Sequence, residues 1–276
     1  MTDRVAETRY LHIRSVRRMT KFYRFANSVN AFLVRQVGIN PKAHYATLKA
    51  AAKRTRKIFS GHVYGADLKS VNIIIDDRKL LLCGIPKVAT QTFLRELIDK
   101  RALGQSRIVS ANLSELSAQD PRLAAYYKVG FVRNPWARVV SAYNSKICHP
   151  RLGSVRMYFV QYKGLQYRMP FDQFVYWLCQ DPEGADNMAD RHWVSQHRFF
   201  YDEDRLLVDR IGRLESLNDD FSSVCEHIGV PTIKLGNHSR RTTTGGASYR
   251  DYYSEETKQL VADRYRKDVE LFGYEF

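Results

Sequence analysis

Two segments of this 276-residue chain combine residue types that bind and stabilise anions. The first, Leu80-Leu81-Leu82-Cys83-Gly84-Ile85-Pro86-Lys87-Val88-Ala89-Thr90-Gln91-Thr92-Phe93, reads as a buried strand running into a turn and then a helix. Backbone N–H groups at such a helix start lack intrahelical partners and, with the positive dipole end, attract an anion. Lys87 adds a full charge, and the hydroxyls of Thr90 and Thr92 can donate hydrogen bonds. This is the physics of a phosphate-binding loop without the GxxxxGK[ST] pattern, which disfavours an ordinary nucleotide kinase. Alone, the segment also reads as a strand–helix connection with an incidental lysine. The second segment, Lys128 to Tyr143, places Arg133 at the carboxyl end of a strand, where open parallel sheets bind ligands. A guanidinium there can grip a phosphate bidentately. Arg138 and Ser141, three apart, share one face of the following helix, and Arg138 reads most simply as a solvated helix charge.

The elements that must position these residues follow from periodicity and punctuation. Val71-Asn72-Ile73-Ile74-Ile75 and Lys79 to Cys83 read as strands around an Asp76-Asp77-Arg78 turn. Helical spacing predicts a helix from Thr92 to Arg101, with Phe93, Leu94, Leu97 and Ile98 on one side. Tyr126 to Val132 is strand-like. Asn134 as N-cap and Pro135 as first helical residue then start a helix to about Ile147. Further helices are predicted over Phe171–Cys179, Asn218–Ile228 and from Ser254 onward, with a strand within Arg205–Leu214. Strands alternating with helices predict an α/β fold, a P-loop-like parallel sheet flanked by helices. Two helices over about 8–37 and 42–58 form an N-terminal extension, dividing the chain into 1–60 and 61–276.

Charge is concentrated in that extension. Residues 1–57 carry 14 Lys and Arg but only Asp3 and Glu7, a net +12 of the chain's +15. The remaining residues are nearly balanced, 30 basic against 27 acidic. Such a segment attracts polyanions over long range, or is the solvated face of an arginine-rich helix. Its aromatics Tyr10, Phe22, Tyr23, Phe25 and Phe32 look like a core stripe and not a stacking platform, so nucleic acid is not the expected partner. With 44% hydrophobic residues the chain can bury a full core. No run of about 18 apolar residues is present, so no membrane span is expected. The first residues lack the basic-then-apolar order of a secretory signal. Cys83, Cys148, Cys179 and Cys225 lie far apart without a CxxC pair, which predicts neither a zinc site nor a disulfide framework.

Taken together, the Pro86-Lys87-x-x-Thr90 turn and Phe131-Val132-Arg133-Asn134-Pro135-Trp136-x-Arg138-x-x-Ser141-Ala142-Tyr143 resemble the sulfotransferases that use 3′-phosphoadenosine 5′-phosphosulfate (PAPS). The nearest likeness is to the carbohydrate sulfotransferases of the chondroitin 4-O- and HNK-1 type. Arg191-His192-Trp193, Gly212 to Leu217, and Tyr252-Tyr253-Ser254 through Leu271 to Tyr274 also look like that group. The resemblance runs from about Leu80 to the C-terminus. It departs from the group at Thr90-Gln91-Thr92-Phe93, where Cys-Thr-Asn-Trp is usual, although Gln91 can still donate to an anion.

The resemblance implies that Lys87, Val88, Ala89, Thr90, Gln91 and Thr92 hold the 5′-phosphosulfate, and that Arg133 and Ser141 hold the 3′-phosphate. The implied reaction is in-line sulfuryl transfer from PAPS to an acceptor hydroxyl, with no metal and with Lys87 neutralising charge on the leaving oxygen. His192 is the first candidate for the general base, with packing beside Trp193 as its other reading. Glu115 is the second candidate, His149 and His197 are weaker, and His197 is expected to share a helix with His192; Asp120 reads as a cap before Pro121. A saccharide acceptor, anionic or neutral, is expected from the basic extension and from the basic loop Arg240-Arg241-Thr242-Thr243-Thr244-Gly245-Gly246. The extension suits peripheral contact with anionic membrane, and the whole looks like a bacterial, cytoplasmic relative. The competing readings are a sulfotransferase for a tyrosine, phenol or lipid headgroup, and a basic binding protein that keeps the nucleotide fold without catalysis.

Overall fold

The computed structural model describes residues 66–148, 162–236 and 248–276. The predicted N-terminal helices, His149 and the basic loop at 240–246 lie outside them. The chain forms two compact units, Val63–Ile147 with Met169–Phe276, and Met1–His62 with Cys148–Arg168. Apart from Cys148 at the end of one turn, the elements below belong to the first unit.

Strand β1 (Ser70–Ile75) turns through a short 3-10 segment at Asp76–Arg78 into β2 (Leu80–Gly84). Lys79 closes this turn in the left-handed region, φ 46°. A turn this short can join only antiparallel neighbours, and Val71 pairs with Gly84 through Ile75 with Leu80. Helix α1 (Thr90–Phe93) continues as a π-type turn to Asp99, and β3 (Arg107–Ala111) then adds antiparallel to the other edge of β1. Helix α2 (Leu113–Gln119) follows, capped by the Asn112 side chain, which accepts from the Ser114 N–H at 2.9 Å.

Strand β4 (Tyr127–Val132) pairs parallel with β2, and β7 (Arg210–Arg213) pairs parallel with β4, giving the order β3-β1-β2-β4-β7. The α/β class stands, but the sheet is mixed: three parallel strands bear the site and two antiparallel strands extend it. All five residues of β2 are buried, as expected for a central strand covered on both faces.

Helix α3 (Pro135–Tyr143) leaves the end of β4 and continues as a π-type turn, Asn144–Cys148. Next come α4 (Phe171–Gln180) and α5 (His197–Phe200), then a small hairpin of β5 (Tyr201–Asp202) and β6 (Arg205–Leu206) before β7. The strand predicted within 205–214 is therefore two separate strands. Helices α6 (Leu217–His227), α7 (Glu255–Arg264) and α8 (Arg266–Phe272) complete the unit. The single last helix predicted from Ser254 is broken at Tyr265, φ −112° and ψ 25°.

Side-chain alternation along β4 separates the two faces of the sheet. Phe131 packs on Phe93 of α1 (5.1 Å between ring centroids), which in turn meets Phe221 of α6 (5.8 Å). Gly130 points the other way, and a Cβ there would stand 2.3 Å from the Phe200 ring. Only glycine lets α5 come that close.

Candidate active site

The carboxyl ends of β2 and β4 open beside one another because the two strands are parallel neighbours. The chain leaves β2 through Ile85-Pro86-Lys87-Val88-Ala89, with Lys87 (φ 72°) and Ala89 (φ 49°) both in the left-handed region. Two such residues in three fold the turn back sharply, a local cost on the order of 1 kcal/mol each. Thr90 holds the turn from inside, its O–H donating to the Ile85 carbonyl at 2.7 Å. That hydroxyl's one proton is thus used within the turn, Thr92 is buried, and Gln91 is exposed.

Lys87 is partly buried, and its Nζ donates to Ser145 Oγ at 2.8 Å. No carboxylate pairs with it among the described residues. Burial, reinforced by the charges of Lys146, Arg133 and Arg138, lowers its pKa to about 7. Arg133 extends beyond the last residue of β4, and its Nη1 donates to the Lys87 carbonyl at 3.4 Å. Burial also depresses its pKa, and among the described residues it makes no salt bridge. The two predicted anion-binding segments are therefore joined by the Arg133 guanidinium on the Lys87 backbone carbonyl. Ser141 is partly exposed on α3, one helical turn before Ser145.

Asn134 is the predicted N-cap of α3, its Oδ1 accepting from the Ala137 N–H at 3.2 Å. Its own N–H donates to Glu215 Oε1 (2.9 Å), and its Nδ2 donates to the Glu275 carbonyl (2.8 Å). Glu215 also accepts from the Tyr274 hydroxyl (3.0 Å). The corner at 133–134 is thus clamped by residues from far along the chain.

Arg138 is not a solvated helix charge. It is 2% exposed and donates to three carbonyls: Pro86 (3.4 Å), Val194 (2.7 Å) and Arg191 (3.1 Å). Helix α3 aims this side chain back toward the first turn of the site, where backbone acceptors replace water. Arg138 thereby ties the Lys87 turn to the segment on either side of His192.

His192 lies in that segment, not in a helix. Its ring nitrogen Nδ1 is 2.5 Å from Asp190 Oδ1, which also accepts the His192 backbone N–H at 2.9 Å. A carboxylate can only accept here, so the proton is on Nδ1 and the ring's basic lone pair is on Nε2. Burial drives the pKa down to about 4 against the opposing pull of Asp190, with Lys146 and Lys87 adding to the fall. The ring is therefore neutral at pH 7 and lies within the field of Lys87.

The remaining candidates fall elsewhere. Glu115 is exposed in the first turn of α2. His197 starts α5 and is not on a helix with His192: its Nδ1 and its backbone N–H both meet Asp268 Oδ1, at 2.7 and 2.8 Å. Asp120 stands at the N-cap of the 3-10 segment Pro121–Ala125, as expected, but its side chain makes no capping bond and binds Arg107 and Arg122 instead. Among the described residues no group of three His, Cys, Asp or Glu side chains could hold a metal ion. A concavity of about 320 Å³ around Arg78, Leu103 and Pro231 lies at the β1–β2 turn, the opposite end of the sheet from Lys87.

Three contributors escaped the sequence reading. Ser145 stands four residues after Ser141, a spacing that could have flagged it. Asp190 lies two before His192, where a short Asp–x–His pattern is too common to count. Gln196, which bonds the Arg133 backbone, carries no local signal at all.

Carbohydrate sulfotransferase 11 of Mus musculus is 24% identical over 257 residues, covering 82% of this chain and 71% of its own. Carbohydrate sulfotransferase 9 of Homo sapiens is 27% identical over 238 residues, 72% of this chain and 52% of its own. Carbohydrate sulfotransferase 14 of Danio rerio is 27% identical over 236 residues, 73% and 61% respectively. No solved structure matches. The description of the sulfotransferase family fits residues 72–275, from β1 to the penultimate residue of the chain. This span contains Lys87, Arg133 and His192, and the chain belongs to the sulfotransferase family.

Proposed function

We propose that the protein transfers a sulfuryl group from PAPS to a hydroxyl of a saccharide. The observation that carries this reading is that Lys87, with no carboxylate paired to it among the described residues, and Arg133, with no salt bridge among them, come together at the carboxyl ends of parallel strands, the Arg133 guanidinium on the Lys87 carbonyl. A donor set of one ammonium, one guanidinium and the hydroxyls of a helix fits a ligand with two anionic ends. Lys87 and the turn at 88–92 would hold the phosphosulfate, and Arg133 with Ser141 the 3′-phosphate. Bound there, PAPS supplies the sulfuryl group and a leaving phosphate.

The chain's own residues do the rest. Lys87 in its cationic form offsets negative charge at the leaving side. His192, neutral with its lone pair on Nε2, takes the proton of the acceptor hydroxyl, and Asp190 steadies the imidazolium that results. Arg138 keeps these two groups in register through Pro86, Arg191 and Val194. The saccharide acceptor is supported by the names of the relatives, each a carbohydrate sulfotransferase, and by the basic residues at 1–57. The same residues suit contact with an anionic glycan or an anionic membrane surface.

Calorimetric titration of adenosine 3′,5′-bisphosphate tests the donor site. The wild type is expected to bind, and Arg133→Ala to weaken binding about tenfold, or about 1.4 kcal/mol. A folded wild type that ignores the bisphosphate would refute the reading. In acceptor screens with PAPS, His192→Ala is expected to lower transfer by about 10²–10⁴-fold while leaving bisphosphate affinity unchanged.

A further inference from the structure

We propose that Gln196 is a positioning residue for Arg133, its buried amide standing in for a missing strand neighbour at the point where the cofactor-binding arginine leaves the sheet. The proposal rests on the assignment of Arg133 to anion binding. The ladder between β4 and β7 ends with the Leu214 N–H donating to the Val132 carbonyl at 2.8 Å. At the next residue the chain bends toward Asn134 and α3, and the peptide groups of Arg133 would need partners beyond the sheet.

Gln196 provides both. Its Oε1 accepts from the Arg133 N–H at 2.9 Å, and its Nε2 donates to the Arg133 carbonyl at 2.8 Å. This pair of bonds fixes both peptide planes flanking the Arg133 Cα, and those planes set the direction of the guanidinium. A primary amide offers one donor and one acceptor side by side without any change of protonation.

The clasp is itself held. Gln196 is 0% exposed, and its backbone N–H donates to Asp268 Oδ2 at 2.7 Å. Asp268, also 0% exposed, accepts with its other oxygen from the His197 backbone and ring. A carboxylate on α8 thus anchors the start of α5, and the side chain at that start anchors Arg133. Bidentate recognition tolerates little angular error, so a guanidinium on an unclasped backbone loses affinity without losing any of its own atoms.

The test is a double-mutant cycle read by bisphosphate calorimetry, with thermal melts to verify folding. Gln196→Met keeps length and volume but neither polar group. It is expected to weaken binding about tenfold in the wild-type background and to add nothing beyond Arg133→Ala. An equal loss in both backgrounds would mean general damage to the fold and would overturn the proposal, as would no loss in either. If the wild type binds no bisphosphate, the assignment of Arg133 falls and this inference with it; binding that only Gln196→Met fails to alter sinks the inference alone. Should Gln196→Met not fold, hydrogen exchange on the wild type decides. The Arg133 amide is expected to be protected like the β4 ladder amides, and exchange at the rate of an exposed loop would overturn the proposal.

Discussion

Burial, with the charges of Lys146, Arg133 and Arg138 around it, lowers the pKa of Lys87 to about 7, while its Nζ donates to Ser145. An anion binds the charged form, so above pH 7 binding must draw a proton from solution. Bisphosphate affinity is therefore expected to fall as pH rises through 7. Titrations near pH 7.5 in buffers of unlike ionisation heat should reveal proton uptake, and Lys87→Met should abolish it. For His192 the linkage concerns stability. Its folded pKa, about 4, lies below the ordinary 6.5, so the unfolded chain holds more protons between those values. Stability then rises with pH across that window: the contribution is complete above 6.5 and is lost as pH falls through about 4. Urea midpoints at pH 5 and pH 7 should differ less for His192→Gln than for the wild type.

The elements were legible where local rules governed them. Asn134 and Pro135 announced α3, and the parallel pairing of β2 with β4 followed from a strand–helix–strand rhythm. The split of 205–214 was hidden because an apolar run does not show which residues find partners. Arg138 was misjudged for a related reason: helical spacing gives a residue's face but not what stands opposite that face. Its three carbonyl partners come from segments 52 to 56 residues away. Arg138→Ala would leave buried acceptors at Pro86, Arg191 and Val194 and is expected to cost about 3–5 kcal/mol in urea unfolding. The loss should exceed that of Arg138→Lys, which can still reach some of them. The pairing of Lys87 with Arg133 was legible as chemistry from two motifs, whereas Gln196 and Asp268 were invisible because burial, not spacing, gives them their role.

At the scale of the whole molecule, the proposed cofactor residues Lys87, Arg133 and Ser141 and the proposed base His192 all lie in the unit of Val63–Ile147 and Met169–Phe276, whereas residues 1–57 hold +12 of the net charge. A chain lacking residues 1–62 is expected to keep its bisphosphate affinity and to lose attraction to anionic vesicles, most visibly at low salt. Calorimetry and vesicle sedimentation measure the two properties separately, and a parallel loss of both would overturn the division of labour. The clamp on the 133–134 corner has a consequence in time. Asn134 waits for Glu275, 141 residues downstream, and Glu215 waits for Tyr274. At about 5–20 residues per second of synthesis, that delay is on the order of ten seconds or more. The corner that carries Arg133, and with it the proposed nucleotide site, is therefore not clamped until residue 275 has been synthesised, and a chain stalled before α8 is expected to bind adenosine 3′,5′-bisphosphate more weakly than the full chain.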